Sequence, residues 1–420
     1  MNSKWIKEVG LLLTLVLITT TFYGCGANGD FQKNTNKVTL KVATYAGASE
    51  LKEYQNLVNK LNAKSKNYKL VIQSIPSNYY QKIQTMISAR QAPDLMWLSQ
   101  EYIPMYAKVG AIMDITNKAE KDKKVELENY YAGPLDTAKY KEKLYGLPWI
   151  SQPVVMYYNK ALFKEAGIEE PNGSWKWEDF DNAAKKLTKD KNGDGKIDQW
   201  GTVIDGWPPI NTWVWTYGGE TIDKNGRIKL GSPEALKGLN MLSKMINVDK
   251  ISPDKEQAQN MGDAQLFESG KIGMFFGGAG DDIENQVNEK FKVGMSEIPY
   301  ETKKSTFSWI ASTVISSQTK NKDVAYEALV DLTNAIQKWK IVSPTKSGLS
   351  NVIKVRPEKA YALDVIKKSS AYARGFNNQE KEAEIDTALS DELYEPILYN
   401  KKTPEQGIKD AVDKIKSITE

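Results

Sequence analysis

From Val38 onward, apolar and polar positions alternate through "KVTLKVATY" (37–45), the two-residue period of a half-buried strand. The period then changes. In "GASELKEYQNLVNKLNAKS" (47–65), Leu51, Tyr54, Leu57, Val58 and Leu61 recur at helical spacing, predicting an amphipathic helix. "YKLVIQSIP" (68–76) predicts a second strand, "YYQKIQTMISARQ" (79–91) a second helix, and "APDLMWLS" (92–99), entered through Pro93, a third strand. Strands alternating with helices imply parallel pairing and a doubly wound α/β sheet. "YIPMYAKVGAIMDIT" (102–116) adds a helix that Gly110 is placed to stop.

The same alternation continues downstream. "VVMYYNKALFKEAGI" (154–168) reads as a strand running into a helix. "SWKWEDFDNAAKKLTK" (174–189) reads as a capped helix, with Ser174 ahead of Trp177 and an acidic first turn at Glu178. Further amphipathic helices are expected at 234–246, 261–270 and 322–339, and a last one at 403–419, where Pro404 suits a first turn. No internal repeat interrupts this order.

Composition removes whole classes of chemistry. The chain of 420 residues has no histidine and one cysteine. Ser-His-Asp and Cys-His nucleophiles, histidine zinc sites and internal disulfides are therefore excluded. Carboxylate chemistry survives, since Asp and Glu total 53. A net charge of +4 is small for this length, and no basic stripe points to nucleic acid. Eleven Trp and 21 Tyr exceed what a core alone demands and suit flat binding faces.

The single cysteine ends an export signal. Lys4 and Lys7 precede an apolar run from Val9 to Ile18, too short to span a membrane, and residues 1–24 read as a signal peptide. Gly24-Cys25 resembles a bacterial lipobox, although Phe22 and Tyr23 replace its usual leucine and small residue. Cys25 is the expected lipidation site, carrying palmitate-type acyl chains, and residues 25–37 the polar tether. The chain is then exported and held at the outer face of the cell membrane by lipid alone.

The order of segments is similar to that of a known family. "ARQAPDLMWLS", "KVGAIMDIT", "LYGLPWISQPVVMYYNKALFKEAGIEEPNGSWKWEDF", "GSPEALKGLNML", "AQLFESGKIGMFFGG" and "YEPILYNKKTPEQGIKDAV" together resemble the extracellular solute-binding proteins of family 1. These are maltose-binding-protein-like lipoprotein receptors of carbohydrate ABC importers. The resemblance implies an α/β, two-lobed periplasmic-binding-protein-like fold, with discontinuous lobes and a ligand cleft between them. Its expected bounds are 38–148 plus 300–347 for lobe 1 and 149–299 plus 348–420 for lobe 2, with passages near Leu147-Pro148, Pro299 and Ser347. It also implies a monomer that binds a sugar or oligosaccharide and delivers it to ABC permease subunits.

Sugars present apolar C–H faces and rings of hydroxyls, so a cleft needs flat aromatics and paired polar groups. Tyr45, Trp97 and Gln100 close predicted strands, and Gln152 follows the first passage. In "DGWPPINTWVWTYGGE" (205–220), Trp207 before two prolines is the expected stacking platform, and Trp213 is a second candidate. Many sugar-binding relatives carry a Trp just after "GKIGMFFGG"; here "GGAGDD" follows. Gly278 there lets backbone amides approach a ligand, Trp309 compensates for the missing ring, and Arg374 is a candidate clamp.

"DKNGDGKIDQWG" (190–201) has the spacing of a calcium loop through Asp190, Asn192, Asp194, the Lys196 carbonyl and Asp198, but Gly201 stands where a bidentate Glu belongs. The missing ligand makes a polar Asn-Gly-Asp-Gly turn the preferred reading. No cofactor is required; a structural calcium ion at 190–201 is the one candidate. The rival readings are the same fold binding a polyol phosphate, peptide or osmolyte, a secreted carbohydrate-active enzyme using an Asp/Glu pair, and an adhesin.

Overall fold

The computed structural model describes residues 37–420 apart from 255, 259–260 and 340–341. Cys25, the signal segment and nearly all of the tether lie outside the described residues. The strands that matter are β1 (Val38–Thr44), β2 (Tyr68–Ser74), β3 (Leu95–Ser99), β4 (Gly146–Asn159), β5 (Trp200–Val203), β6 (Ile272–Gly278), β7 (Val293–Ser296), β8 (Thr306–Ile315) and β9 (Ala373–Arg374). They run in the order β2-β1-β3-β8-β4-β6-β5, with β7 on β4 and β9 on β8. The β1–β2, β1–β3 and β5–β6 pairs are parallel, as the alternation of strands and helices predicts.

β4 and β8 pair antiparallel and carry the sheet from one side of the molecule to the other. Gly146–Pro153 pair with β8, and Val154–Tyr158 pair with β6. A bulge between Ala311 and Ser312 falls opposite Pro148, which has no N–H for the ladder.

Three buried clusters cover this sheet. The first runs from Leu40 to Ile150 and resumes from Ala311 to Ile336. The second takes Val154, Met156 and Tyr158, and the third takes Val155 and Tyr157. Alternate residues of β4 thus face opposite helical layers, the arrangement of a strand covered on both faces. The chain passes between the first cluster and the other two between Ile150 and Val154, between Phe307 and Ala311, and between Ile336 and Val342. Lys37–Glu420 form one compact unit.

Local signals mostly act where the sequence puts them. Asn159 Oδ1 caps the helix Lys160–Ala166, and Gly167 ends it at φ 63°. Thr403 and Gln406 cap each other reciprocally ahead of Pro404. Ser174 is a correction: it bonds Asn172, and the helix begins at Trp177, with Asp179 accepting from the Lys176 N–H at 2.8 Å. Among the described residues, no helix is long and apolar enough to cross a membrane.

Candidate functional site

The antiparallel register sets Trp309 on β8 opposite Gln152 on β4, and Val154, two residues on, opposite Gly278 at the end of β6. Cross-strand neighbours share a face, so the indole and the amide lie side by side. Gln152 folds across the glycine: a Cβ on Gly278 would sit 2.6 Å from Gln152 Cγ. Its Nε2 donates to Asp281 Oδ1 at 2.9 Å, and the Gly278 N–H donates to Asp281 Oδ2 at 2.7 Å. Gln152 Oε1 is buried without a protein partner.

These groups line one cavity of about 340 Å³, completed by Trp207, Asp263, Ala264, Phe275, Phe276 and Gly277. Trp207 stands edge-on to Phe307, with centroids 5.8 Å apart. Burial, then the nearby Asp205 charge, pushes the Asp263 carboxyl up to about 6. Burial also raises Asp281, against the Gly278 amide, the Lys359 charge and the Gln152 amide, which favour its ionised form.

Gln152, Trp207, Gly278 and Trp309 therefore converge, and the other candidates do not join them. Gly278 differs from its expected role, because its amide is taken by Asp281 and its lack of a side chain makes room for Gln152. Trp97 is fully buried in the first cluster, against Tyr54, Trp149 and Tyr45. The sequence places it at a strand end, but it is the middle residue of β3, whose five residues are all buried. Tyr45 packs edge-on to Trp97 and Trp309 and backs the cavity without lining it.

Gln100 is buried and spent: Nε2 donates to the Ser308 carbonyl at 2.9 Å, and Oε1 accepts from the Phe376 N–H at 3.2 Å. Trp213 is fully buried, stacked near Trp177, and donates to Tyr394 Oη at 3.0 Å. Arg374 donates to Glu220 at 2.8 Å and lies over the Trp215 ring, so its charge is used within the fold.

Asp263 and Asp281 are the site groups that periodicity did not single out. Asp263 opens the helix Asp263–Glu268 and reads as an ordinary first-turn acid. Only its proximity to Asp205 and to the cavity distinguishes it.

In the loop 190–201, Asp190 accepts from the Gly193 and Gly195 amides, and Asp198 from the Lys191 and Asn192 amides. Asp194 accepts from Lys196 N and from Asn192 Nδ2. The Gly195 amide leads the groups that hold the Asp190 carboxyl below its usual range. Among the described residues, no three acidic side chains gather as metal ligands.

Indole rings, an amide and two carboxylates thus gather around one cavity at the end of β6. The chain belongs to the bacterial extracellular solute-binding protein family, whose model matches residues 47–338. It is similar to the diacetylchitobiose-binding protein of Streptomyces coelicolor, with 26% identity over 381 residues and 84% of each chain covered. In structure it resembles a Listeria monocytogenes ABC substrate-binding protein solved with cycloalternan, at TM-score 0.77 and 24% identity, covering 91% of this chain and 99% of the other. An ABC transporter solute-binding protein of Thermotoga lettingae solved with α-D-tagatose matches at TM-score 0.75 and 22% identity, over 91% of this chain and 100% of the other. The two-lobed periplasmic-binding-protein-like fold expected from the sequence is the fold of this chain.

Proposed function

We propose that the chain is the receptor of an ABC importer and captures a neutral sugar or oligosaccharide in the cavity between Trp207 and Trp309. The observation that carries this reading is the convergence of two indoles, the free Gln152 carbonyl and two aspartates on one 340 Å³ space. Aromatic faces stack on C–H surfaces, and carboxylates accept from hydroxyl pairs. No Lys or Arg lines the cavity among the described residues, and two aspartates repel a phosphate, which disfavours a polyol phosphate. The sugars held by the similar proteins support the same class.

In this reading the first buried cluster is one lobe and the second and third clusters the other. A solute touching both favours the closed arrangement by its differential affinity, and the closed form engages permease subunits. Cys25 anchors the chain by lipid at the outer membrane face; Cys25→Ser would release it to the medium, read by fractionation. Whether the loop 190–201 also takes calcium, beside its bonds from its own amides, is read by melting with and without calcium.

The deciding experiment is thermal melting of the full chain against a panel of neutral oligosaccharides, glycerol phosphate and short peptides. A ligand that binds only the folded state raises the melting temperature by mass action. A shift with one oligosaccharide series, lost in Trp207→Ala, is the expected result. A flat sugar panel beside a glycerol phosphate or peptide shift overturns the reading.

A further inference from the structure

Behind the cavity wall lies a lysine with no solvent exposure. Lys359 is 0% exposed, although lysine is among the residues least often fully buried. Its Nζ lies 2.8 Å from Glu284 Oε2 and donates to Tyr157 Oη at 3.0 Å. Tyr157 in turn donates to the Gly278 carbonyl at 2.8 Å. The chain of contacts therefore ends on the same glycine whose N–H holds Asp281. A buried ammonium is costly unless it meets a need, and packing alone would be served by an apolar side chain.

We propose that Lys359 is a positioning residue for the ligand pocket: acting through Tyr157, Gly278 and its own buried charge, it keeps Asp281 an acceptor for ligand hydroxyls. This assignment rests on reading the cavity as the ligand site. As a carboxylate, Asp281 already accepts from Gln152 on one oxygen and from Gly278 on the other, and each oxygen retains a lone pair. As a neutral acid it would present an O–H in place of one acceptor. Asp281 therefore presents acceptors alone to a ligand only while it is charged.

The charges around it set that balance. Lys359 favours the carboxylate and Glu284 opposes it. Arg356 faces Lys359 and Tyr157, and is itself paired with Asp282 and Glu358. Tyr361 donates to Glu284 at 2.7 Å. Among the named influences on Asp281, Lys359 is the cation and Glu284 the opposing carboxylate.

The test needs no ligand, so its failure is separate from failure of the sugar reading. The Asp281 carboxyl carbon is followed by NMR titration in the full chain, its resonance assigned with Asp281→Asn. Lys359→Met should move the midpoint to higher pH. Glu284→Gln, which removes a like charge, should move it to lower pH. A purely structural role gives no reason for opposite shifts. An unmoved midpoint in folded Lys359→Met overturns the proposal. Should Lys359→Met not fold, Lys359→Gln, which keeps a donor for Tyr157 without the charge, decides: an upward shift supports the proposal and an unmoved midpoint overturns it.

Discussion

Trp207 and Trp213 share one segment, yet Trp213 is fully buried with its N–H on Tyr394, while Trp207 keeps a face on the cavity. Truncating them should separate two measurements. Trp213→Ala is expected to cost about 3–5 kcal/mol in urea unfolding, the range for a large buried aromatic. Trp207→Ala should leave stability nearly unchanged and weaken sugar binding roughly tenfold by calorimetry, about 1.4 kcal/mol. If both variants lose only stability, Trp207 is not a platform. Asp263 is held near 6 against an ordinary value of 3.8. Between those values the unfolded chain has released a proton that the folded chain keeps, so stability falls as pH rises and the penalty is complete above about 6. Asp263→Asn should therefore gain about 1 kcal/mol at pH 7, after discounting for solvent screening, and match the parent below pH 4. It should also weaken ligand binding. Equal urea midpoints for the two proteins at pH 7 would count against this account.

At the scale of elements, the site is a product of register. Trp309 meets Gln152 because β4 and β8 pair as they do, and Gly278 is glycine because Gln152 lies across it. Gly278→Ala should displace the Gln152 amide from Asp281 and cost about 1–3 kcal/mol, the usual penalty for overfilling a packed place. A crystal structure of the variant with the Gln152–Asp281 bond intact would contradict this. Much of the architecture was legible beforehand: the strand–helix alternation up to β3, the stop at Gly110 and the first turn at Pro404 follow from local chemistry. The four residues that do converge were legible as candidates too. Trp97 and Trp213 were not separable from them, because an indole looks the same in sequence whether it faces a cavity or Tyr54 and Tyr394. Gln100 and Arg374 misled for a similar reason. Their partners, Ser308, Phe376 and Glu220, are distant in the chain, and periodicity carries no information about them.

For the whole molecule, an acidic contact joins distant parts of the chain. Glu101, in the short turn Gln100–Tyr102, faces the helix Glu382–Leu389 that carries Glu382 and Asp386. Burial leads the causes that raise Glu382 to about 8, with the charges of Asp386, Glu101 and Glu220 adding to it. The folded chain holds this proton across a window where the unfolded chain has lost it, so stability should decline as pH rises from about 4.5 toward 8. Glu382→Gln should flatten that decline in urea midpoints measured from pH 5 to 9. Parallel slopes for parent and variant would sink the assignment.

The three passages of the chain between its buried clusters carry a further consequence, for proteolysis. Cutting the third, between Ile336 and Val342, leaves the polypeptide crossing twice more, through β4 and β8, whose ladder of hydrogen bonds no protease breaks. A nicked molecule should therefore migrate as one species on a native gel and as two fragments in detergent. Its solute capture would outlast the integrity of its backbone.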